Sequence, residues 1–495
     1  MLKQDEINRL RAANLPPRAM IIDGEICQAL SGRTREVISP IDGTVLTTIP
    51  DGAAEDAERA IAAARVAFED GRWSRMAPQE RKKIMHRWAD LIEAEALSLT
   101  VMGVRENGTE IATAIDAEAG SAVTTIRYYA EAIDKIYGEI APTPDGILGL
   151  IHHEPVGVVG AIVPWNFPLM IGAWKLGPAL ATGNTVILKP AETASLTLLR
   201  IGELALEAGI PAGVLNVVTG AGSVVGEAMA RSMEIDVITF TGSGGVGRRL
   251  LENAAKSNLK RVYLELGGKS ANIVFADTPD LDTAARAAAA AIFKNAGQVC
   301  VAGSRLLLER CIYDEFLDRL AQVTQSLIVG DPLDLNSNIG AINSARQLTQ
   351  NLSFVDTAQA EGGTLLLGGK RILADTGGFY MEPTIVAQVA PHHRLVQEEV
   401  FGPVLAVMVF DDEAEAVKLA NCTSYGLAGA VWTADLARTL RMIRAVKTGM
   451  VQVNRYAQVD ITSPLGGVKQ SGNGHDRSLH ALDKFTNLKT AWIQF

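Results

Sequence analysis

Cys300 is the most reactive candidate nucleophile in the sequence. It stands in FKNAGQVCVAGSR, after a turn of small residues and before the apolar segment 305–308, which we expect to form a strand. A cysteine attacks as its thiolate, which nearby N–H dipoles or a cation must stabilise, so the setting indicates nucleophilic catalysis. A buried structural thiol is the alternative. Cys27, Cys311 and Cys422 lack comparable glycine-rich surroundings, and we interpret them as structural.

An amide group is placed rigidly in VPWNFP, residues 163–168. Asn166 lies there between Trp165 and Phe167, and prolines bracket all three. Such a segment predicts a side-chain N–H held ready to stabilise an oxyanion. An asparagine that only caps a turn is the alternative.

The segment FTGSGGVG, residues 240–247, has the spacing Gly242-x-Gly244-x-x-Gly247 of a dinucleotide-binding loop. It follows a predicted strand and opens a predicted helix, whose N-terminus would be open to a phosphate. A turn that only packs a strand against a helix is the alternative. Glu265 follows in VYLELGGKSAN, where a simple Rossmann interpretation puts the acid that binds the cofactor ribose. The residue types alone leave open whether Glu265 binds ribose or does chemistry.

A second candidate for cofactor binding is the segment NTVILKPAETAS. Lys189 and Glu192 follow a predicted strand at 185–188 and precede a predicted helix. Ligands of open α/β sheets gather at the carboxyl ends of strands, so both side chains are well placed for a ribose. A surface charge pair at the start of a helix is the alternative.

Strands and helices alternate from residue 156 onward, which predicts an α/β fold with a parallel, helix-covered sheet. A second α/β block begins near Gly267. Before them, two strand-like runs flank the turn at 144–146 and predict a hairpin arm. The apolar run 156–174 contains two prolines, and we predict a buried strand followed by a turn rather than a membrane helix.

Composition and charge exclude several classes of function. The chain has 495 residues and a net charge of -10, and no basic run stands out, so we expect no nucleic-acid partner. The four cysteines have no CxxC spacing, which argues against a disulfide framework or a metal site and favours a reduced compartment. The charged N-terminus has no apolar core of a signal peptide, so we expect a cytoplasmic protein without membrane attachment.

Seven motifs together resemble those of the NAD(P)-dependent aldehyde dehydrogenase superfamily. They are PWNFP, KPAE, FTGS, LELGGKSAN, GQVC, EEVFGPV and PLGGVKQSGNG, and the similarity extends from about residue 20 to the C-terminus. It is closest to the aminoaldehyde-oxidising members, the γ-glutamyl-γ-aminobutyraldehyde dehydrogenases of putrescine breakdown. The resemblance implies a Rossmann-type NAD-binding domain (1–137 and 156–264), an α/β catalytic domain (265–467) and an oligomerisation arm (138–155 and 480–495).

The resemblance also implies a mechanism and answers the question about Glu265. Cys300 attacks the aldehyde, and the Asn166 amide and the Cys300 N–H hold the oxyanion. The adduct gives hydride to the nicotinamide and becomes a thioester. Glu265 matches the general base that activates water for hydrolysis, which favours a pKa raised by burial. Lys175 and Asp476 are expected to support a proton path to Glu265.

The resemblance implies NAD as the cofactor, with NADP less favoured, because the Glu192 carboxylate would repel a 2′-phosphate. Lys189 and Glu192 are expected at the adenine ribose. The remaining residues expected to bind the cofactor are Trp165, Gly222, Gly242, Ser243, Gly247, Glu399 and Phe401.

For the substrate, the resemblance favours an ω-aminoaldehyde. Carboxylates at the entrance of the substrate tunnel would stabilise the cationic tail of such a molecule. Asp116, Glu118 and Asp460 are the candidate acids, with Asp460 preferred. Phe167, Trp174 and Tyr456 are expected to box the methylene chain. An aldehyde with an anionic tail would need a cation, and Arg455 is the one nearby candidate.

Three other functions stay open at this point. One is a broad-specificity dehydrogenase of short neutral aldehydes, one is an inactive structural or binding member of the fold, and one is a thiol hydrolase. The arm at 138–153 and the last strand at 490–495 predict exchange between the subunits of a homodimer or homotetramer. Four departures from the family pattern affect cofactor and substrate preference, and they are Gly244-Gly245, Ala296, Leu465 and His475.

Overall fold

The computed structural model of the chain describes residues 2–456 and 460–495. The helices are α1 (Gln4–Arg11), α2 (Ala54–Glu69), α3 (Pro78–Ala94), α4 (Ala96–Asn107), α5 (Ile111–Ala114), α6 (Ser121–Ala132), α7 (Pro168–Ala181), α8 (Leu196–Ala208), α9 (Glu227–Arg231), α10 (Gly244–Ala255), α11 (Leu281–Phe293), α12 (Tyr313–Gln325), α13 (Ala345–Ala360), α14 (Arg394–Gln397), α15 (Glu413–Ala420) and α16 (Leu436–Ala445).

The strands are short, and most belong to two large sheets. They are β1 (Met20–Ile22), β2 (Glu25–Cys27), β3 (Thr34–Ile38), β4 (Val45–Pro50), β5 (Glu139–Ala141), β6 (Ile147–Pro155), β7 (Val158–Ile162), β8 (Thr185–Lys189), β9 (Leu215–Val217), β10 (Val237–Thr241), β11 (Arg261–Glu265), β12 (Ala271–Val274), β13 (Arg305–Glu309), β14 (Thr364–Leu367), β15 (Arg371–Ile372), β16 (Tyr380–Met381), β17 (Thr384–Ala387), β18 (Val404–Phe410), β19 (Ala428–Trp432), β20 (Met450–Val453), β21 (Gly472–Asn473) and β22 (Thr486–Gln494).

The first large sheet has eight strands in the order β2-β1-β9-β8-β7-β10-β11-β21. Its five central strands are parallel. After β7 the chain builds β8 and β9 on one side and then returns to build β10 and β11 on the other. The carboxyl ends of β7 and β10 therefore form the switch point at which open α/β sheets bind ligands.

The second large sheet has seven strands in the order β14-β17-β18-β13-β12-β19-β20, all parallel except β14. It has its own apolar core, in which Phe275 and Phe410 meet edge to face with ring centroids 5.1 Å apart. The predicted α/β class is confirmed. The predicted domain boundaries stay a prediction, and β21 joins the first sheet although residues 472–473 lie outside the ranges assigned to the NAD-binding domain.

The predicted arm is a three-stranded antiparallel sheet in the order β22-β6-β5. Thr486 lies opposite Pro155 and Gln494 lies opposite Ile147, so β22 pairs along the whole of β6 of its own chain. The backbone groups of β22 that face β6 are therefore paired within the chain, and exchange between subunits stays a prediction.

A buried carboxylate fixes α8 behind the predicted ribose-binding turn. Glu106 accepts hydrogen bonds from the backbone N–H groups of Ser195 and Leu196, both at 2.9 Å, and of Thr197 at 3.3 Å. These amides belong to the start of α8, where the helix itself offers them no partner. Burial raises the pKa of Glu106 to about 7 against the effect of these bonds.

Helix boundaries differ from the predictions where no residue type marks them. The helix expected over 77–104 breaks at Glu95, which has φ -101° and ψ 11°, into α3 and α4. The helix after the glycine loop begins at Gly244 rather than Gly247. The apolar run 156–174 divides into β7, a turn and α7, and no helix in the described ranges is long and apolar enough to cross a membrane.

Candidate active site

Two chambers meet at the predicted nucleophile. The glycine-loop chamber, of about 530 Å³, opens at the switch point between β7 and β10 and is lined by Gly242 and Ser243. The aromatic chamber, of about 460 Å³, is lined by Phe167 and other apolar side chains. Cys300 and Asn166 line both chambers, so the fold brings these two predicted catalytic groups together where the chambers join.

The turn before Cys300 has an unusual backbone. Asn295, Ala296 and Gly297 have φ values of 50°, 49° and 74°, which is the left-handed region. A Cβ on Gly297 would lie 2.1 Å from the carbonyl oxygen of Gly402, so only glycine fits there. Successive residues in this region cost conformational energy, and such turns persist only where surrounding contacts hold them.

Buried polar contacts hold this turn. A carboxylate oxygen of Glu110 accepts the N–H of Asn295 at 3.0 Å, and the Thr109 hydroxyl donates to the Asn295 side chain at 2.9 Å. The Gln298 side chain donates to the Asn295 carbonyl at 3.1 Å. Sequence reasoning missed Thr109, Glu110 and Gln298, because Thr109 and Glu110 lie almost 200 positions from the residue that they hold and nothing in their spacing marks the contact.

The amide of Asn166 is held by one of its two N–H bonds. Its Nδ2 donates to the Gln298 carbonyl at 2.9 Å, beside Cys300. We find no further bond from Nδ2 to the described residues, so its second N–H is available to an oxyanion at Cys300. The Cys300 N–H likewise donates to no backbone oxygen of the described ranges. The two N–H groups predicted to hold the oxyanion are thus both available for hydrogen bonds.

The Cys300 sulfur keeps its proton in the resting structure. Burial first, and then the charge of Glu265, raise the pKa of the thiol well above its usual value. This differs from the expectation of a thiolate that its surroundings stabilise. Cys300 therefore needs a base before it can attack a carbonyl.

Glu265 has the properties of that base. It ends β11, is buried, and accepts no hydrogen bond from an N–H or O–H group in the part of the chain that the structure describes, while its contact with the Cys300 thiol acts to lower its pKa. Burial, and then the charge of Asp476, raise its pKa to about 7, which confirms the predicted direction. A carboxylate with that pKa accepts and returns protons near neutral pH.

A buried ion cluster adjoins Glu265. Asp476 accepts hydrogen bonds from the ammonium groups of Lys175, at 3.1 Å, and Lys484. Burial opposes the ionisation of Asp476, but the charges of both lysines lower its pKa to about 2. A cavity of about 10 Å³, bordered by Glu265 and all three of these residues, has room for one water molecule. Sequence reasoning found Lys175 and Asp476 but missed Lys484.

The glycine loop presents an open helix end to its chamber. Ser243 is the N-cap residue of α10, and no side chain caps this helix. A Cβ on Gly244 or Gly245 would meet nothing within 4 Å, so the backbone there is accessible. Gly247 does not line the chamber: a Cβ there would lie 3.1 Å from the Leu266 side chain. Gly247 packs α10 closely against Leu266, and its assignment to cofactor binding stays a prediction.

The opposite wall of the glycine-loop chamber carries Glu399 and Phe401. Glu399 accepts the N–H of Gly268 at 3.0 Å, and burial raises its pKa to about 7. The Phe401 ring meets the Trp165 ring edge to face, with centroids 5.2 Å apart. These three predicted cofactor residues therefore lie at one chamber.

The predicted ribose-binding group lies beyond this chamber, at the carboxyl end of β8. The buried ammonium of Lys189 lies 3.7 Å from the Glu192 carboxylate, and Glu192 accepts the N–H of Gly222. The structure thus brings these three residues together one strand away from β7, along the same edge of the sheet.

The aromatic chamber contains the predicted box but not the predicted acids. Phe167, Trp174 and Tyr456 all line it. Asp116 is exposed on the π-helix Ile115–Gly120 and does not line it. Asp460 is also exposed outside the lining, and its carboxylate accepts the N–H of Thr462 at 2.9 Å.

Glu118 is placed differently again, because it is buried and accepts the N–H of Met170 at the start of α7. Because the Glu118 carboxylate binds the N-terminus of α7, it holds the backbone that follows Asn166 and does not face the tail of a substrate. Residues 457–459, in the loop before Asp460, lie outside the described residues.

The aromatic chamber is also lined by two cations that were not predicted from the sequence. They are Lys294 and Arg477, and they are the charged side chains of its described lining. Arg455, the cation that was considered, is not part of that lining. No periodicity marks Arg477, because it reaches the chamber only through the fold of the segment after β21.

The sequence profile of the aldehyde dehydrogenase family matches residues 27–491. The chain belongs to the aldehyde dehydrogenase family. As a member it is an oxidoreductase that acts on aldehydes, and the resemblance described above is confirmed.

Three relatives of this aldehyde dehydrogenase show the extent of the similarity. The NADP/NAD-dependent aldehyde dehydrogenase PuuC of Escherichia coli is 50% identical over 474 residues, which cover 96% of this chain and 95% of PuuC. An indole-3-acetaldehyde dehydrogenase solved with NAD+ is 49% identical, with a TM-score of 0.98 over 100% of both chains. A γ-glutamyl-γ-aminobutyraldehyde dehydrogenase of Burkholderia cenocepacia is 47% identical, with a TM-score of 0.97 over 100% of both chains.

Replacing Asn166 with alanine in this aldehyde dehydrogenase should lower kcat by about 10²–10³-fold, because one of two oxyanion donors is lost. Single-turnover kinetics of NADH formation would measure the effect on the chemical step. Unchanged circular dichroism and NAD affinity would show that the fold and the cofactor site are intact. Near wild-type turnover, with the chemical step limiting, would contradict the role of Asn166.

Turnover should depend on pH through Glu265. Its pKa is raised to about 7, so the carboxylate that acts as a base is the minor form below that pH and the major form above it. Under conditions where hydrolysis limits, kcat should rise about tenfold between pH 6 and pH 8. Glu265→Gln should lose this rise, and the control Glu93→Gln, at an exposed carboxylate, should keep it. A flat wild-type profile would refute the assignment.

Proposed function

We propose that this protein oxidises an ω-aminoaldehyde to the carboxylic acid, with NAD as the preferred cofactor. Candidate substrates are γ-glutamyl-γ-aminobutyraldehyde, 4-aminobutyraldehyde and 4-guanidinobutyraldehyde. The observation that carries the chemistry is the meeting of Cys300 and Asn166 where the two chambers join, with Glu265 beside them in the lining of the glycine-loop chamber. The nitrogen-bearing substrate is supported by the γ-glutamyl-γ-aminobutyraldehyde dehydrogenase to which the chain is similar.

The residues act in a definite order. Glu265 takes the proton of Cys300, because both groups are buried and each is costly to ionise alone. The Cys300 sulfur then adds to the aldehyde carbon, and the Asn166 amide and the Cys300 N–H stabilise the oxyanion. NAD held in the glycine-loop chamber would supply the acceptor for the hydride that this adduct releases, and Cys300 would then carry a thioester.

Hydrolysis of the thioester uses the same base again. Glu265 takes a proton from water, which attacks the thioester carbon and frees the acid and the Cys300 sulfur. A water molecule in the small cavity that Glu265 shares with Lys175 and Asp476 would relay the proton away from Glu265. Lys175 is thus a positioning residue that acts through Asp476.

The residues of the glycine-loop chamber fit NAD. The uncapped N-terminus of α10 suits a phosphate, and Gly244 and Gly245 leave its backbone open. Glu399 is placed to accept from hydroxyls of the nicotinamide ribose. The Glu192 carboxylate at the end of β8 suits the two hydroxyls of the adenine ribose and repels a 2′-phosphate, which favours NAD over NADP.

A broad-specificity dehydrogenase of neutral aldehydes is the second candidate. The apolar wall of the aromatic chamber favours it, as does the similarity to an indole-3-acetaldehyde dehydrogenase. It uses the same catalytic groups, so only substrate preference separates the two candidates.

The deciding experiment measures NADH formation with a matched panel of aldehydes: the three candidates above, betaine aldehyde, indole-3-acetaldehyde, succinate semialdehyde and propanal. We expect the highest kcat/KM for a nitrogen-bearing aldehyde, and a higher kcat/KM with NAD than with NADP. Equal values for propanal would favour the broad-specificity enzyme. NAD binding without turnover of any aldehyde would point to an inactive member of the fold.

We also propose that the protein is a homodimer or homotetramer. The arm exposes large apolar side chains, with Ile140 at 74%, Trp492 at 65% and Phe495 at 83% exposure. Such a concentration of apolar surface is typical of a subunit interface. Light scattering should give at least twice the chain mass of 52.7 kDa, and a clean monomer would contradict the proposal.

A further inference from the structure

Each turnover leaves one surplus proton on Glu265. In the proposed function, on which this inference rests, Glu265 takes a proton from the Cys300 thiol and later a second proton from water. Only one of the two returns to the Cys300 sulfur. The other must leave Glu265 while the thioester is present, because a protonated carboxyl group cannot activate water. The acyl group would then fill the aromatic chamber and the nucleotide the glycine-loop chamber, so the proton has to leave on another side.

A small cavity lies on that other side of Glu265. Glu265 lines both this cavity and the glycine-loop chamber, whereas Cys300 and Asn166 line only the two large chambers. The volume of the cavity is about 10 Å³, which is room for one water molecule. Apart from Glu265, the described ionisable side chains that border it are Lys175, Tyr263, His475, Asp476 and Lys484. A proton that Glu265 gives to this water has to pass to one of them.

Four of these side chains cannot accept the proton. The ammonium groups of Lys175 and Lys484 donate to Asp476 and already carry their protons. Burial opposes the ionisation of Asp476, but the charges of both lysines lower its pKa to about 2, so it stays a carboxylate. The phenol of Tyr263 is too weak a base. His475 remains, and an imidazole both takes up and releases protons under physiological conditions.

His475 lies between the cavity and solvent. Its side chain is exposed, and no hydrogen bond ties its ring to the described residues. The next residue is fixed, because the Asp476 N–H donates to the Leu465 carbonyl at 2.7 Å and the Leu465 N–H donates back at 2.8 Å. A Cβ on Gly466 would lie 2.9 Å from Cδ2 of His475, so the glycine leaves room for the ring. Packing thus places the ring while its nitrogens stay free for water.

We propose that His475 is the group through which Glu265 loses its surplus proton to solvent. The Glu265 carboxylic acid gives the proton to water in the small cavity, and this water gives a proton to a ring nitrogen of His475. The ring then releases a proton to a buffer molecule and is neutral again, so Glu265 alone has changed, to a carboxylate. His475 touches neither aldehyde nor nucleotide, and it acts through Glu265 as the outer end of a proton path.

The test separates the two halves of one turnover in the full-length enzyme, with the aldehyde of the panel that is oxidised fastest. Stopped-flow absorbance measures the formation of NADH, which precedes loss of the proton, and rapid quench measures release of the acid, which follows it. In weak buffer, His475→Gln should form NADH in the first turnover at the wild-type rate. It should release the acid at least about 10-fold more slowly, because water cannot attack until Glu265 is ionised.

Added imidazole distinguishes proton transfer from a structural defect. A small diffusible base can replace the missing ring, so imidazole should restore acid release by His475→Gln in a saturable way and leave the wild-type rate unchanged. The matched control is His480→Gln. It removes another exposed imidazole, whose ring centroid lies 6.5 Å from that of His475 but which does not border the cavity. This control should release the acid at the wild-type rate.

Several results would overturn the inference. They are wild-type acid release by His475→Gln in weak buffer, an equal slowing of NADH formation and acid release, a slow release that imidazole does not restore, or an equal loss in His480→Gln. Circular dichroism checks folding, and His475→Ala is the second variant if His475→Gln does not fold. Failure of the proposed function would look different, because no aldehyde, including propanal, would then yield NADH.

Discussion

Burial of the Glu265 carboxylate beside the Cys300 thiol is the interaction on which the rest of the active site depends. Burial raises the pKa of both groups, so the thiol keeps its proton until the Glu265 carboxylate takes it. Glu265 accepts no hydrogen bond from a described N–H or O–H group, which leaves the carboxylate able to serve thiol and water in turn. A well-bonded carboxylate would have a lower pKa and would be a weaker base.

Charged residues around this pair help to keep the pKa of Glu265 raised. Asp476 raises the pKa of Glu265 by its charge, and two lysines keep Asp476 ionised. A buried ion without a partner would strongly destabilise the fold, so Asp476 and the two lysines have to be present together. The pairing of β21 with β11 brings Asp476 close to Glu265, because β11 ends at Glu265 and Asp476 follows shortly after β21.

The nucleophile and the oxyanion group depend on one strained turn. Left-handed residues before Cys300 turn the chain so that the Gln298 carbonyl meets the Asn166 amide. The buried Glu110, at the N-cap of α5, holds the turn by accepting the N–H of Asn295. The geometry of catalysis is thus maintained by contacts between distant segments, and the glycine-loop chamber and the aromatic chamber are kept on either side of it.

Much of this protein follows from local sequence. Strand–helix alternation predicts the α/β fold, and the turn at 144–146 predicts the hairpin, because period and turn residues are local signals. The short motifs around Cys300 and Asn166 predict a nucleophile and an oxyanion donor from their residue types, whereas the role of Glu265 as a base follows only from the resemblance to the aldehyde dehydrogenases. The break at Glu95 and the start of α10 at Gly244 were not predictable, since tertiary packing decides helix ends where no cap or proline marks them.

Only the tertiary structure decided the charge of the substrate chamber. Asp116 and Asp460 looked suited to a cationic tail in the sequence, but the fold leaves both exposed outside the lining and buries Glu118 at the start of α7. Arg477 reaches the chamber because a left-handed backbone and the Trp174 ring direct it there. Residue type and spacing determined which chemistry this chain performs. The charges that line the aromatic chamber were decided by long-range packing, which spacing along a chain does not encode.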